Sequence, residues 1–192
     1  MSSRILIFAL VVMSNLASCQ STPVESPQPP QRVAMVSVTD SSYTMSASKN
    51  LVSWKAGGSY IAPSERISAD IMKPLIESAI SNALQAKGYQ FVSDPDKAQL
   101  LVSYVAGLET ELSDADITQR FGVMPGFQAK NPDKAQYEKG SIIVDIVDVG
   151  AGKSVWRGAI QGFASVELSD DERRKRLEKI MSELIAQFPG LL

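Results

Sequence analysis

The sequence has no histidine and a single cysteine in 192 residues. Without an imidazole there is no side chain that titrates near neutrality in its ordinary state. Ser/His/Asp and Cys/His nucleophilic centres are therefore excluded, together with His-ligated zinc and haem. A lone thiol closes no intramolecular disulfide and builds no paired-cysteine metal knuckle. Positive charge is also in short supply, with 19 Lys and Arg against 21 Asp and Glu. Nucleic-acid affinity comes largely from neutralising phosphates, so no nucleic-acid partner is expected. What is present, a chain of this length with 44% apolar residues, suits one medium globular domain.

The amino end reads as a processing signal. Arg4 supplies a short positive region, and Ile5 to Met13 is an unbroken apolar run. That run is shorter than the roughly 20 residues a membrane-spanning helix needs, and it fits the apolar core of a signal peptide. It leads into Leu16-Ala17-Ser18-Cys19, which resembles the lipobox of bacterial lipoproteins at every position. The resemblance implies residues 1–18 as a removed signal peptide and Cys19 as the acylated first residue of the mature chain. Gln20 follows, and resemblance to enteric-type sorting signals, in which Asp at this place marks inner-membrane retention, implies the outer membrane, facing the periplasm, as the expected address. Several acyl chains, at about 0.8 kcal/mol per buried methylene, exceed the two-signal threshold for stable anchoring. Loss of the one basic residue among positions 1–18 leaves 18 basic against 21 acidic residues, a mature net charge of −3.

From Cys19 to Arg32 the chain is a linker. It contains Pro23, Pro27, Pro29 and Pro30 among Ser, Gln and Thr, with Val24 as its one branched apolar side chain. Such a composition cannot offset its chain entropy by burial, and proline biases it towards extended forms. Residues 33–192 are the expected single α+β domain. Strands are predicted at Val33–Val38, Ser42–Ser46, Tyr60-Ile61, Tyr89–Val92 and Gln99–Val105. Ser141–Val149 and Ser154–Phe163 should pair as a hairpin through Gly150-Ala151-Gly152-Lys153.

Ile67, Ile71, Leu75, Ala79 and Ala83 recur every fourth residue, predicting a helix over about 65–87 with Ser64 as N-cap and Gly88 just past its end. Pro74 either kinks it or begins a second helix near 73. A capping box at Ser169 and Glu172 opens a last helix with its stripe on Leu177, Ile180, Met181, Leu184, Ile185 and Phe188. One-sided helices and strands cover each other, which predicts an antiparallel or mixed sheet with two helices packed on one face.

Lys87-Gly88-Tyr89, the strand Leu100–Tyr104, Asp145-x-x-Asp148 and Val155-Trp156-Arg157-Gly158 occur in this order. Over roughly residues 40–187 the chain resembles a family of bacterial lipoproteins known as domain of unknown function 4136. The resemblance implies a lipid-anchored envelope protein with an α+β domain, and it implies no reaction.

The chemical motifs weigh little beside that. Gly150–Ser154 lacks the first glycine of a phosphate loop, where Val147 stands, and a strand follows in place of a helix. Asp114-Ala115-Asp116 lacks the glycine and terminal acid of a calcium loop, where Gln119 and Pro125 stand, so no metal or cofactor is expected. Asp145 and Asp148, three apart on a strand, should face opposite ways, which argues against a paired-carboxylate centre. Trp156 should anchor the core, with Arg157 pairing Asp145 across the hairpin. The basic run Arg173–Arg176 lies among acids and reads as a solvated helix face.

The stretch 107–140 exceeds the length of a structureless connection, and Phe121, Met124 and Phe127, with Arg157, are its candidate binding residues. The expected function is a non-catalytic binding or envelope-maintenance module. Its partners would be the membrane through Cys19 and an envelope protein, peptidoglycan or small apolar molecule. The competing class is a carboxylate-dependent envelope hydrolase.

Replacing Cys19 by Ala is expected to move the protein out of the membrane fraction or to leave an uncleaved precursor, read by cell fractionation and intact mass. Normal processing with unchanged membrane fractionation would overturn the anchor.

Overall fold

A computed structural model describes residues 32–190 apart from Met45, Ala47 and Pro132. The lipobox and most of the linker lie outside the described residues. Seven strands form one sheet. They are β1 (Val33–Thr39), β2 (Leu51–Trp54), β3 (Tyr60–Ile61), β4 (Gln90–Phe91), β5 (Leu100–Leu108), β6 (Tyr137–Asp148) and β7 (Lys153–Ser165). The order across the sheet is β1-β7-β6-β5-β2-β4, with β3 also on β5. β1, β7, β6 and β5 are successively antiparallel, and β2 and β3 join β5 in parallel. β2 meets the beginning of β5 and β3 meets its end, so the two short strands lie in line along one edge of it.

The α+β expectation holds, and both predicted helices occupy the same face. α1 (Ala69–Ala86) and α3 (Asp170–Ala186) cover Val102, Tyr104, Ile142, Val144, Ile146 and Ile160 with Ile76, Ile80, Leu84, Leu177, Met181 and Leu184. The helices run side by side in the same sense. At their C-terminal ends Tyr89 donates its hydroxyl to the Pro189 carbonyl at 3.1 Å, and Lys87 reaches the Ala186 carbonyl. The Tyr89 and Phe188 rings are 5.3 Å apart, and Phe188 and Trp156 are 5.5 Å apart. This aromatic group closes that end of the domain.

The other face carries a feature absent from the expectation. α2 (Asp114–Phe121), within the long stretch between β5 and β6, opens on a capping box of Ser113 and Asp116. Leu112, Ile117 and Val123 pack there on Ile143 and Ala159. β6 and β7 are thus apolar at alternating positions on both sides because both sides are covered.

Three local expectations shift. The strand expected over Ser42–Ser46 is absent at the described residues Ser42, Tyr43, Thr44 and Ser46; Ser41-Ser42 is a turn, in which the Asp40 carboxylate takes both the amide and the hydroxyl of Ser42 just after β1 ends. The strand forms further on, at β2. α1 begins at Ala69, since the Ser64 hydroxyl is engaged by the Arg66 amide in a turn and Ser68 takes the N-cap position. Pro74 lies inside that one helix and starts no second one. At its end Gly88, at φ +93°, donates to Gln85 and Tyr89 donates to Leu84, a full Schellman closure that brings Tyr89 into the core.

Trp156 is buried as expected, at 1% exposure. Its ring lies over Gly158, where an added Cβ would stand 2.3 Å from Cη2 and 2.6 Å from Cζ2. Gly158→Ala should therefore cost about 2 kcal/mol by overpacking. In a Trp156→Phe background, where those two atoms are gone, the same change should cost less, giving a favourable coupling in a double-mutant cycle from urea unfolding. Equal costs in both backgrounds would refute this account.

Candidate functional site

The sequence-predicted binding residues separate in space. Phe127 is buried with Tyr137 and Phe163, its ring edge-on to Phe163 at 5.1 Å. Met124 points outward at 57% exposure. Phe121 is half-buried at the end of α2, and its carbonyl accepts a 2.6 Å hydrogen bond from Arg157 Nη1. Arg157 Nε also reaches Asp145 Oδ1 at 2.9 Å, the expected cross-hairpin pair, and Ser154 donates to the same oxygen at 2.6 Å. Phe121, Arg157 and Asp145 therefore form one group, whose arrangement fastens the C-terminal end of α2 to the sheet.

The N-terminal end of α2 is fastened too. Lys139 Nζ lies 2.7 Å from Asp114 and 2.9 Å from Glu109, and the buried Gln161 donates to Asp114 and to Ser141. The Lys139 hydrogen bond, with help from Gln161 and against burial, holds the Asp114 carboxyl below the usual range. Asp116 is occupied in its capping box. Among the described residues no group of acids could hold a metal ion.

Asp145 and Asp148 do face opposite ways. Asp148, at 1% exposure, accepts from Lys49, from the Tyr43 hydroxyl at 2.8 Å and from the Ala151 amide at 2.8 Å. Burial alone would raise its pKa, and these three donors outweigh it, so the carboxyl is held low. The Gly150–Lys153 turn thus directs its Ala151 amide at Asp148, and Lys153 pairs with Asp40 at 2.6 Å. The phosphate-loop reading has no geometry behind it. Glu138 is likewise held low by Thr110 and Arg66 against its burial.

A concave site lies at the opposite end of the helical layer from Trp156. Where α1 and α3 begin, they bound an apolar cavity of about 130 Å³, open to solvent on one side. Its floor is made of small residues, with Gly140 and Gly162 directly opposite each other on β6 and β7, Ala106 and Ala164 beside them, and the Val33 side chain packed against Gly162. Met72, Ile76, Leu177 and Ile180 form the helical walls.

Arg173 and Arg176 line the same cavity, which corrects the solvated-face expectation for the basic run. Arg174 and Lys175 are exposed and pair with Asp171, whereas Arg173 and Arg176 turn inward. Arg173 donates to the carbonyls of Leu168 and Val166, and Arg176 Nη2 donates to Phe163 at 2.6 Å. Arg176 Nη1 is buried without a hydrogen-bond partner. Burial lowers the Arg176 pKa, with the nearby Tyr137 opposing it. The signal was present in the sequence, since 173, 176, 177 and 180 share one face of a 3.6-residue helix. The neighbouring acids masked it.

Residues 39–190 match the model of the family described as Domain of unknown function (DUF4136). A solved DUF4136 family protein from Bacteroides thetaiotaomicron is similar in fold, with 16% identity and a TM-score of 0.50 over 81% of this chain and 95% of that one. The PelC dodecamer protein of Paraburkholderia phytofirmans is 11% identical, with a TM-score of 0.46 over 80% of this chain and 97% of that one. No curated protein matches the chain.

Asp148→Asn should destabilise the protein by about 2 kcal/mol at neutral pH, because three donors lose a charged acceptor in a buried site. The folded pKa of Asp148 is depressed, so its contribution is complete above the unfolded value of about 4 and disappears as the pH falls through the lower folded value. Urea unfolding of both proteins across that range should show the gap closing on acidification. A gap that stays constant down to the lowest measurable pH would contradict the assignment.

Proposed function

The chain belongs to the DUF4136 family, for which no activity is defined, and on that footing we propose that it is a lipid-anchored envelope lipoprotein whose domain is a non-catalytic binding module. The anchor is Cys19, the linker over residues 19–32 is a spacer, and the address is the periplasmic face of the outer membrane. Support for the anchor comes from Leu16–Cys19, and no helix among the described residues is long and apolar enough to cross a membrane.

The observation that carries the binding reading is the commitment of the inward acids. Asp114, Glu138 and Asp148 are each tied to a cation and held ionised. A glycosidase-type hydrolase needs one carboxyl raised towards neutrality as its acid, the opposite perturbation. The concave apolar site at the helix starts, by contrast, has the character of a ligand pocket, mostly apolar with few polar groups. Met124, exposed on the lobe that α2 belongs to, offers a second point of contact for an envelope protein or peptidoglycan.

A photo-crosslinking residue at Met124, activated in intact cells, should join the protein to an envelope component, and Cys19→Ala should abolish that adduct by removing the domain from its surface. Adducts confined to the chain itself would remove the lobe as a partner surface.

A further inference from the structure

The cavity at the start of α1 and α3 has two properties that narrow what enters it. Its size is the first. An apolar cavity of about 150 Å³ accepts a benzene-sized group, and the present volume of about 130 Å³ is of that order. A short alkyl segment fits, and the open side lets a longer chain continue outward. The walls offer such a segment Met72, Ile76, Leu177 and Ile180 over a floor of small residues, Ala106, Gly140 and Gly162, edged by Val33.

The second property is an unanswered cation. Arg176 lines the cavity with Nη2 engaged by Phe163 and Nη1 buried without an acceptor, and no carboxylate is paired with it among the described residues. A desolvated donor left unpaired is costly, and a charged acceptor in such a place gains a charge-assisted bond in low dielectric. Neutral alkanes would leave that cost in place, and cationic amphiphiles would add to it. A single unpartnered donor nitrogen, reached by a shift of the guanidinium at the cavity wall, suits a small, singly charged head over a doubly charged phosphate.

We propose that this cavity binds a medium-chain fatty acid, with its carboxylate on Arg176 and part of its chain over Gly140 and Gly162. This names a ligand for the binding module proposed above and rests on that reading. It does not depend on Cys19 or Met124, so either can fail without the other.

The test uses the full chain, in phospholipid nanodiscs when acylated and in plain buffer otherwise, with decanoate carrying a terminal diazirine as the probe. Irradiation and peptide mapping should place the label on the segments around Met72–Ile76 or Leu177–Ile180. Unlabelled decanoate should compete at about tenfold lower concentration than decanol or decyltrimethylammonium, the margin expected of one charge-assisted bond. Arg176→Met should weaken decanoate about tenfold and leave decanol unchanged. Ala106→Leu, which fills the floor while keeping Arg176, should abolish labelling while circular dichroism shows the domain still folded at the labelling temperature. Should Arg176→Met fail to fold, the competitor series on the unmodified protein decides the charge requirement and Ala106→Leu decides the place. Label outside the cavity, equal competition by all three compounds, or labelling that survives Ala106→Leu would each overturn the proposal.

Discussion

The indole of Trp156 lies flat over a residue that has no side chain, and the arrangement of the helical layer follows from that contact. Gly158 is two residues along the same strand and on the same face, so the ring folds down onto the sheet where it would otherwise stand up from it. There it meets Phe188 in a tilted contact, and Phe188 meets Tyr89, which is delivered by the Schellman turn after α1. Three large rings from three distant segments thereby fix where α1 and α3 end. The opposite end of the same layer is built from glycine and alanine, and there the two helices enclose space in place of each other's side chains. One end of the layer is closed by aromatic packing and the other is left open as a cavity.

The lobe on the reverse face is held differently. Its apolar core is small, with Leu112, Ile117 and Val123 on Ile143 and Ala159. Polar contacts set its position, Lys139 and Gln161 meeting Asp114 at the start of α2 and Arg157 meeting the Phe121 carbonyl at its end. These are partly buried pairs with hydrogen-bonded geometry, and pairs of that kind specify position more than they add stability. The acids that a hydrolase would use are the ones that hold this lobe and the β6–β7 turn in place.

Legibility from sequence followed the range of the forces involved. The hairpin, the capping box at Ser169 and the stripe from Leu177 to Phe188 were readable because periodicity and turn chemistry are local. The pairing of Arg157 with Asp145 was readable because hairpin register carries a residue on one strand to a known neighbour on the next. α2 was not read as a helix, since eight residues with one buried position, Ile117, carry no stripe, although Ser113 and Asp116 offered a capping signal. Arg176 was misplaced for a related reason. In sequence it belongs to a basic run bounded by Asp170–Glu172 and Glu178, whereas in space it meets the Phe163 carbonyl and a cavity whose floor lies more than ten residues away. Only the crossing of the helix over the sheet brings these together.

β1 has one further consequence. It is an edge strand, and among the described residues its one strand partner is β7, in continuous antiparallel register from Val33 opposite Gly162 to Thr39 opposite Trp156. Any pull transmitted through the chain before Val33 and directed along the strand loads those inter-strand hydrogen bonds together, in shear, and cannot open them one at a time from the end. The same strand ends at Asp40, which grips Lys153 beyond the last pair. Mechanical load on the leading segment is therefore passed first to β7, the next strand in and the one that also carries Trp156.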